Sequence, residues 1–314
     1  MDISKEAPLT DFIAPRGPVP GEVPATDHAV VRSGLTLRYR IWGDRQKPMV
    51  LLQHGGRDHA RSWDFVVAGL VDDYCVVTPD LRGHGDSEHV PGGGYDSLDY
   101  MTDFAAILED LEGQGMAPPF RIIGHSLGGN IASHYAAAFP ERVKLLVNIE
   151  GVGTPPALYH QMTEQPAGQR WREAAEKRLA ESRRELRIFK TPELAVRRMK
   201  QLHARVPEEI VEHVALHAIR QREGGFSWKY DGMLGFSRHR PQSPEEYIDL
   251  YRSVSCPVLI LYGTNSFTTP PDQDGRGQVF AQQKLITYEG AGHWLHHERL
   301  DDFMRDIRAF LSVS

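Results

Sequence analysis

The sequence predicts an α/β protein whose sheet is mostly parallel, covered by helices on both faces, with a helical lobe inserted late in the chain. Three observations carry this. Short, continuously apolar runs alternate with segments of helical periodicity up to about residue 154. The alternation stops between Pro155 and Pro244, where the pattern is helical throughout. At "CPVLILYG", Cys256 to Gly263, a buried-strand pattern resumes.

In chain order, "HAVVRSGLTLRYRIW" reads as two strands around a Ser33-Gly34 turn. "PMVLLQHGG" and "YCVVTPDLRGHG" are short apolar strands running into glycine-rich loops. "DYMTDFAAILEDLEGQG" places Met101, Phe104, Ile107, Leu108 and Leu111 at helical spacing. "FRIIGHSLGGNIASHYAAAFPERV" is a strand, a sharp glycine turn and a helix stopped by Pro140, and "KLLVNIEGVG" is again a strand. In the lobe, Trp171, Ala175, Leu179, Ser182, Leu186 and Phe189 recur every three to four residues as one apolar stripe. Two further helices are expected, over roughly 192–204 and 207–222, and "GGFSWKYDGMLGF" reads as loop. "KLITYEGAGHW" supplies a last strand and a glycine bend, and "LDDFMRDIRAFL" a closing amphipathic helix. The expected organisation is an N-terminal arm over 1–26, a core of 27–154 and 245–314, and a helical lobe over 155–244.

Bulk properties narrow the classes. No apolar run approaches the roughly 18 residues of a membrane span. The proline-rich opening "MDISKEAPLTDFIAPRGPVPGEVP" lacks the basic start and apolar stretch of a secretory signal, so a cytoplasmic protein is expected. Two cysteines, Cys75 and Cys256, each beside an apolar run, read as buried thiols, in keeping with a reducing compartment. The net charge is −6, yet the lobe holds 17 Lys and Arg against 11 Asp and Glu. Signs alternate along helical patterns there, as in "EAAEKRLAESRREL", which favours a solvated face over a nucleic-acid surface. A small-molecule substrate, with no nucleic-acid or membrane partner, fits this balance; oligomeric state is not encoded in it.

The chemistry sits in "GHSLGG", Gly124 to Gly129, between a strand and a helix. A G-x-S-x-G motif in that context forces Ser126 into a tight turn and projects its hydroxyl, with the helix N-terminus from Leu127 favouring negative charge beside it. A serine hydroxyl needs a base to take its proton. His293, directly after the Gly-Ala-Gly bend in "GAGHWLHHE", is the expected base; His296 and His297 fall where the closing stretch begins. A metal set of His293, His296 and Glu298 has no second cluster to support it, and the mechanism needs no metal or organic cofactor.

Taken together, "LLQHGG", "PDLRGHGDS", "GHSLGG" and "GAGHW" resemble the α/β-hydrolase fold superfamily, over nearly the whole chain from about residue 28. The resemblance implies an eight-stranded, mostly parallel sheet, with the lobe as the family's variable cap. It implies oxyanion donors at the backbone N–H groups of Gly56 and Leu127. It also places the usual triad acid three residues past Gly263, where this chain has Ser266. The preceding strand, "LLVNIEGVG", ends instead in Glu150, and a subgroup of haloalkane dehalogenases of this fold uses a glutamate there. Adjacent parallel strands deliver their ends to one edge, so Glu150 can reach the same imidazole. Asp272 and Asp274 are the fallback acids. Asp80 is expected to order its own loop with Arg82. Arg57, Asp58 and His59 either touch substrate or form a loop ion pair; Trp63 packs. Candidates for the pocket wall are Trp294, Tyr159, Trp228, His160, Met162 and Met233.

The dehalogenases and epoxide hydrolases of this fold use an aspartate nucleophile, so Ser126 points to an acyl-enzyme. The leading expectation is hydrolysis of a small or medium carboxylic ester or lactone by a Ser126–His293–Glu150 triad. One alternative is a carbon–carbon bond hydrolase acting on ring-cleavage dienoates, which shares Gly-His-Trp at the histidine. Another is a ligand-binding sensor with little turnover.

Overall fold

A computed structural model describes residues 23–234 and 242–312, so the N-terminal arm up to residue 22 lies outside the described residues. The first strand pair is β1 (Ala25–Arg32) and β2 (Leu35–Trp42), a hairpin with Ser33 and Gly34 both at positive φ. Then follow β3 (Met49–Gln53), a 3-10 turn over Ala60–Trp63, α1 (Asp64–Leu70), β4 (Cys75–Pro79), α2 (Ser97–Gly113), β5 (Phe120–His125), α3 (Leu127–Ala138) and β6 (Val143–Ile149). Between β6 and the next sheet strand lie α4 (Pro156–Thr163), α5 (Ala167–Ser182), α6 (Pro192–Leu202), α7 (Glu208–His217), a hairpin of β7 (Ile219–Arg222) and β8 (Gly225–Trp228), and α8 (Pro244–Tyr251). The chain closes with β9 (Val258–Gly263), β10 (Gln283–Tyr288), α9 (Leu295–Glu298) and α10 (Leu300–Leu311).

Eight strands form one sheet in the order β1-β2-β4-β3-β5-β6-β9-β10. Only β2 runs against the other seven strands, pairing antiparallel with both β1 and β4. The central strands β3 and β4 are buried at every position, which is why they read as unbroken apolar runs rather than alternating ones. Side chains alternate across the sheet into two cores. Leu51, Val77 and Ile122 pack on one face with Phe104, Leu108 and Tyr135 of α2 and α3. Val50, Leu52, Val76 and Ile123 pack on the other with Val66 and Leu70 of α1 and Phe303 and Ile307 of α10. Both cysteines are buried free thiols, and burial raises the Cys256 pKa to about 11.

Two expectations for the lobe are corrected. The stripe from Trp171 to Leu186 is not a buried face: Trp171, Leu179 and Leu186 are 60%, 54% and 63% exposed, and no residue of α5 is buried. Only Phe189, past the helix end, is buried, bridged to Phe226. The helix expected over 207–222 stops at His217, and the segment assigned to loop supplies β8. The two-residue connection Glu223-Gly224, with Gly224 at φ 78°, makes a tight hairpin, and Phe226 and Trp228 gain ring packing as strand residues. Among the described residues no helix is long and apolar enough to cross a membrane.

Candidate active site

The turn at Ser126 is built by contacts that only glycine permits. Ser126 has φ 53° and ψ −114°, a strained conformation for a residue with a side chain. A Cβ on Gly124 would stand 2.5 Å from the Gly128 carbonyl oxygen, and one on Gly128 would stand 2.4 Å from that of Gln53. The turn is pinned from below by Ser126 N–H donating to the Ile149 carbonyl at 2.7 Å. Ser126 thereby sits where β5 meets α3, at the carboxyl edge of the sheet.

At the same edge, β6 ends in Glu150, also at positive φ (57°) and 4% exposed. Its carboxylate receives four donors. The Gly263 N–H reaches Oε1 at 2.7 Å; the Ser266 hydroxyl reaches Oε2 at 2.6 Å; the Thr268 hydroxyl also donates to Oε2; and His293 Nδ1 lies 3.2 Å from Oε2. A carboxylate taken from water needs such donors to remain charged. Ser266, standing where the resemblance places an acid, donates to the carboxylate at the end of the neighbouring strand. Asp272 and Asp274 do not reach the imidazole: Asp272 is exposed, and Asp274 is paired with Arg276 at 2.7 Å.

With Nδ1 facing a carboxylate, the proton of a neutral His293 sits on that nitrogen, leaving Nε2 free to accept one. Among the described residues Ser126 Oγ has no hydrogen-bond partner; contacts of this kind commonly tighten only with substrate in place. The other two candidate bases are excluded by position. His296 and His297 are fully buried with neither ring nitrogen hydrogen-bonded, and burial keeps both neutral, His297 at about 3. Glu298 accepts the Gly292 N–H at 2.7 Å.

Gly56 and Leu127 come together as the resemblance implies. A Cβ on Gly55 would lie 3.2 Å from Ser126 Cβ, and one on Gly56 3.9 Å from a Leu127 methyl. Among the described residues neither the Gly56 nor the Leu127 N–H has an acceptor, so both remain available to an oxyanion.

The loop after Gly56 divides its side chains. Arg57 is exposed and lies over the Tyr230 ring, 5.8 Å from its centroid. Asp58 turns inward, accepting from the His59 N–H at 2.8 Å and the Ser62 hydroxyl at 3.0 Å, and burial raises its pKa to about 7. His59 is buried against the Val214 carbonyl, and Trp63 is fully buried. Asp80 does order its own loop, accepting from the Ala60 and Asp86 N–H groups. Its expected partner Arg82 is bound elsewhere: the guanidinium makes two bonds to Asp103, at 2.5 and 2.7 Å.

Several pocket candidates are structural. Trp294 is 8% exposed, stacked on His203 at 3.6 Å and packed among Val196, Met199 and Val211. Trp228 packs edge-on to Phe189 at 5.0 Å. Tyr159, His160 and Met162 lie on α4, where the Tyr159 ring meets that of its neighbour His160, and Met233 packs against the main core. Three residues were missed. Phe267, 81% exposed, lies 4.4 Å from the His293 ring, and Thr268 donates to the Glu150 carboxylate. His125, inside the nucleophile motif, holds the His293 carbonyl at 2.9 Å through Nε2. An apolar residue beside Ser266 in a loop was the available signal for Phe267; nothing in the sequence marks His125, because its partner is 168 residues away.

One other group could hold a metal. Ligand atoms of Asp64, His213 and His217, all buried, lie within 4.8 Å of one another. The Asp64 carboxylate is already neutralised by Arg61 at 2.6 Å and bonded to His213 at 2.8 Å, so a dication would bring excess positive charge into a buried site. The group instead ties α7 to the start of α1.

A strained serine at a strand–helix turn, a carboxylate-bound histidine and two free N–H donors at one edge of a doubly covered sheet define a hydrolase of the α/β class. The chain belongs to the α/β-hydrolase fold family, whose model matches residues 48–300. It is 28% identical over 291 residues to the bifunctional esterase/perhydrolase DCH of Acinetobacter calcoaceticus, covering 90% of this chain and 99% of that one. It is 28% identical over 295 residues to the mouse (Mus musculus) sn-1-specific diacylglycerol lipase ABHD11, covering 88% and 86%. The thioesterase domain from the curacin biosynthetic pathway superposes with a TM-score of 0.79 at 24% identity, over 90% of this chain and 99% of that domain, a likeness of fold.

Proposed function

We propose that this hydrolase cleaves small or medium carboxylic esters or lactones through an acyl-enzyme. The supporting observation is the buried Glu150 carboxylate on His293 Nδ1, at the edge of the sheet that also presents Ser126. Ser126 Oγ attacks the carbonyl carbon while His293 Nε2 takes its proton. The negative charge that develops on the carbonyl oxygen is received by the Gly56 and Leu127 N–H groups. Collapse breaks the bond to the alkoxide, which leaves with the proton from His293. Water, deprotonated by the same nitrogen, then releases the acid and restores Ser126. Glu150 stays ionised throughout, fixing the tautomer and stabilising the imidazolium. That two relatives are an esterase and a lipase supports the ester as the bond cleaved.

The test joins p-nitrophenyl butyrate hydrolysis to labelling by a fluorophosphonate, located by peptide mass spectrometry. Wild type should hydrolyse the ester and carry one label, on Ser126; Ser126→Ala should lose both. Label on another residue, or undiminished hydrolysis in Ser126→Ala, overturns the proposal. Binding of ester without turnover or labelling would favour the sensor instead.

A further inference from the structure

Arg57 follows the candidate oxyanion donor directly and has φ 62°, a left-handed conformation that a residue with a Cβ adopts only when its surroundings impose it. Its guanidinium opens a row of stacked groups. Arg57 lies over Tyr230, Tyr230 stacks on Trp228 at 6.2 Å, Trp228 meets Phe189 edge-on at 5.0 Å, and Arg187 closes the row 5.3 Å from the Phe189 centroid. Some of the lobe's other cations are taken. Lys229 pairs with Asp86, Arg184 with Glu181 and Lys200 with Glu208; Arg178 and Arg220 donate to backbone carbonyls. Asp231, beside Tyr230, is occupied by the Tyr95 hydroxyl. Among the described residues Arg57, Arg187 and Arg198 have no carboxylate partner. Burial raises the Tyr230 pKa, and four arginines (57, 187, 198 and 184) work against that rise, which marks one cationic neighbourhood around this ring.

Free guanidiniums bind carboxylates by two parallel bonds, and a row of rings holds the fork in place. We infer that the site selects esters carrying a carboxylate a few bonds from the scissile carbonyl, with Arg57 as the residue that binds it. This rests on the acyl-enzyme reading above. The substrate class is a half-ester of a dicarboxylic acid, or a neutral acyl group on a carboxylate-bearing alcohol.

The experiment compares kcat/KM within matched pairs. Mono-p-nitrophenyl glutarate is set against p-nitrophenyl valerate for charge on the acyl side, and 4-carboxyphenyl butyrate against phenyl butyrate for charge on the alcohol side. Wild type should favour the anionic member of one pair by more than about tenfold. In Arg57→Gln that ratio should fall by about tenfold or more, through KM more than kcat; Arg57→Lys should keep part of it. Circular dichroism confirms that each variant is folded. No anionic preference in either pair, or a ratio unchanged in Arg57→Gln, overturns the inference. If wild type hydrolyses none of the four, the acyl-enzyme reading fails by itself, and calorimetry with glutarate decides the anion site. Weaker binding in Arg57→Gln than in wild type supports it, and no millimolar binding by wild type overturns it.

Discussion

Replacing Glu150 by glutamine tests the site at its least expected member. The amide keeps the shape, and its oxygen can still accept from Gly263 at the Oε1 position, 2.7 Å away. Its NH2 then faces Ser266, Thr268 and His293 Nδ1, where the carboxylate accepted three bonds. The two hydroxyls can rotate and accept. The imidazole can accept only by moving its proton to Nε2, the nitrogen that must take the serine proton. The wrong tautomer should lower kcat for p-nitrophenyl butyrate by ~10³–10⁴, or about 4–5 kcal/mol of barrier. Folding should suffer far less. Charge-assisted bonds give way to neutral ones rather than to orphaned groups, a loss of about 1–3 kcal/mol, and Tm drops by several degrees. Initial rates beside thermal melts separate the two effects. A folded Glu150→Gln protein that keeps more than about a tenth of wild-type kcat would refute the assignment.

Ser266→Ala removes one donor from the carboxylate and should lower Tm modestly, for a loss of about 1–2 kcal/mol, with a fall in kcat much smaller than that of Glu150→Gln; equal falls would mean that Ser266 itself acts on the histidine. Gly128→Ala places a methyl 2.4 Å from a backbone oxygen and should cost about 3 kcal/mol or more, read by urea unfolding. Asp103→Ala takes from the Arg82 guanidinium, 5% exposed, its bonds at 2.5 and 2.7 Å, leaving it Asp99 at 3.2 Å and the Gly94 carbonyl, and should cost about 2–3 kcal/mol by the same assay, whereas Asp27→Ala, which removes an exposed partner of Arg40, should cost under about 1. Stability should fall as pH drops below 6.5. Burial lowers the pKa of His84 and His134 to about 4 and of His297 to about 3, so the unfolded chain binds protons that the folded chain refuses. Each adds up to about 1.4 kcal/mol per pH unit between 6.5 and its folded value. Asp58 and Asp80, raised to about 7 and about 6, act in the opposite sense from about pH 4 upward but are fewer. A urea midpoint that stays level from pH 7 to 5 would contradict this.

The sheet was legible because β3, β4 and β9 are buried at every position and bounded by loops, so apolar runs alone marked them. The elbow was legible because Gly124 and Gly128 are fixed by backbone contacts close in sequence or adjacent in the sheet. Glu150 could be found because a charged residue ending an apolar strand needs a partner; its hydroxyl donors could not, since they come from a loop 116 residues away. The lobe was read least well. Helical spacing in α5 reflects i, i+4 pairing on a solvated helix, and period alone does not distinguish that from a buried stripe. The β7–β8 hairpin was hidden by a short strand that continues directly from a helix end.

The Ser266 hydroxyl on the Glu150 carboxylate has a consequence for how such a site can change over generations. Two neighbouring strand ends meet at one imidazole, one supplying the carboxylate and the other the hydroxyl that steadies it. Moving the acid from β6 to the end of β9 therefore takes two substitutions, Glu150→Ser and Ser266→Asp, whose order matters. On the proposed mechanism, losing Glu150 first leaves the imidazole without a carboxylate and the lineage with little activity. Making the Ser266→Asp change first leaves two carboxylates in contact, sharing a proton, which keeps one ionised near the imidazole. The passable route runs through the doubly acidic form, and the serine preserves a position from which that route can be travelled in either direction.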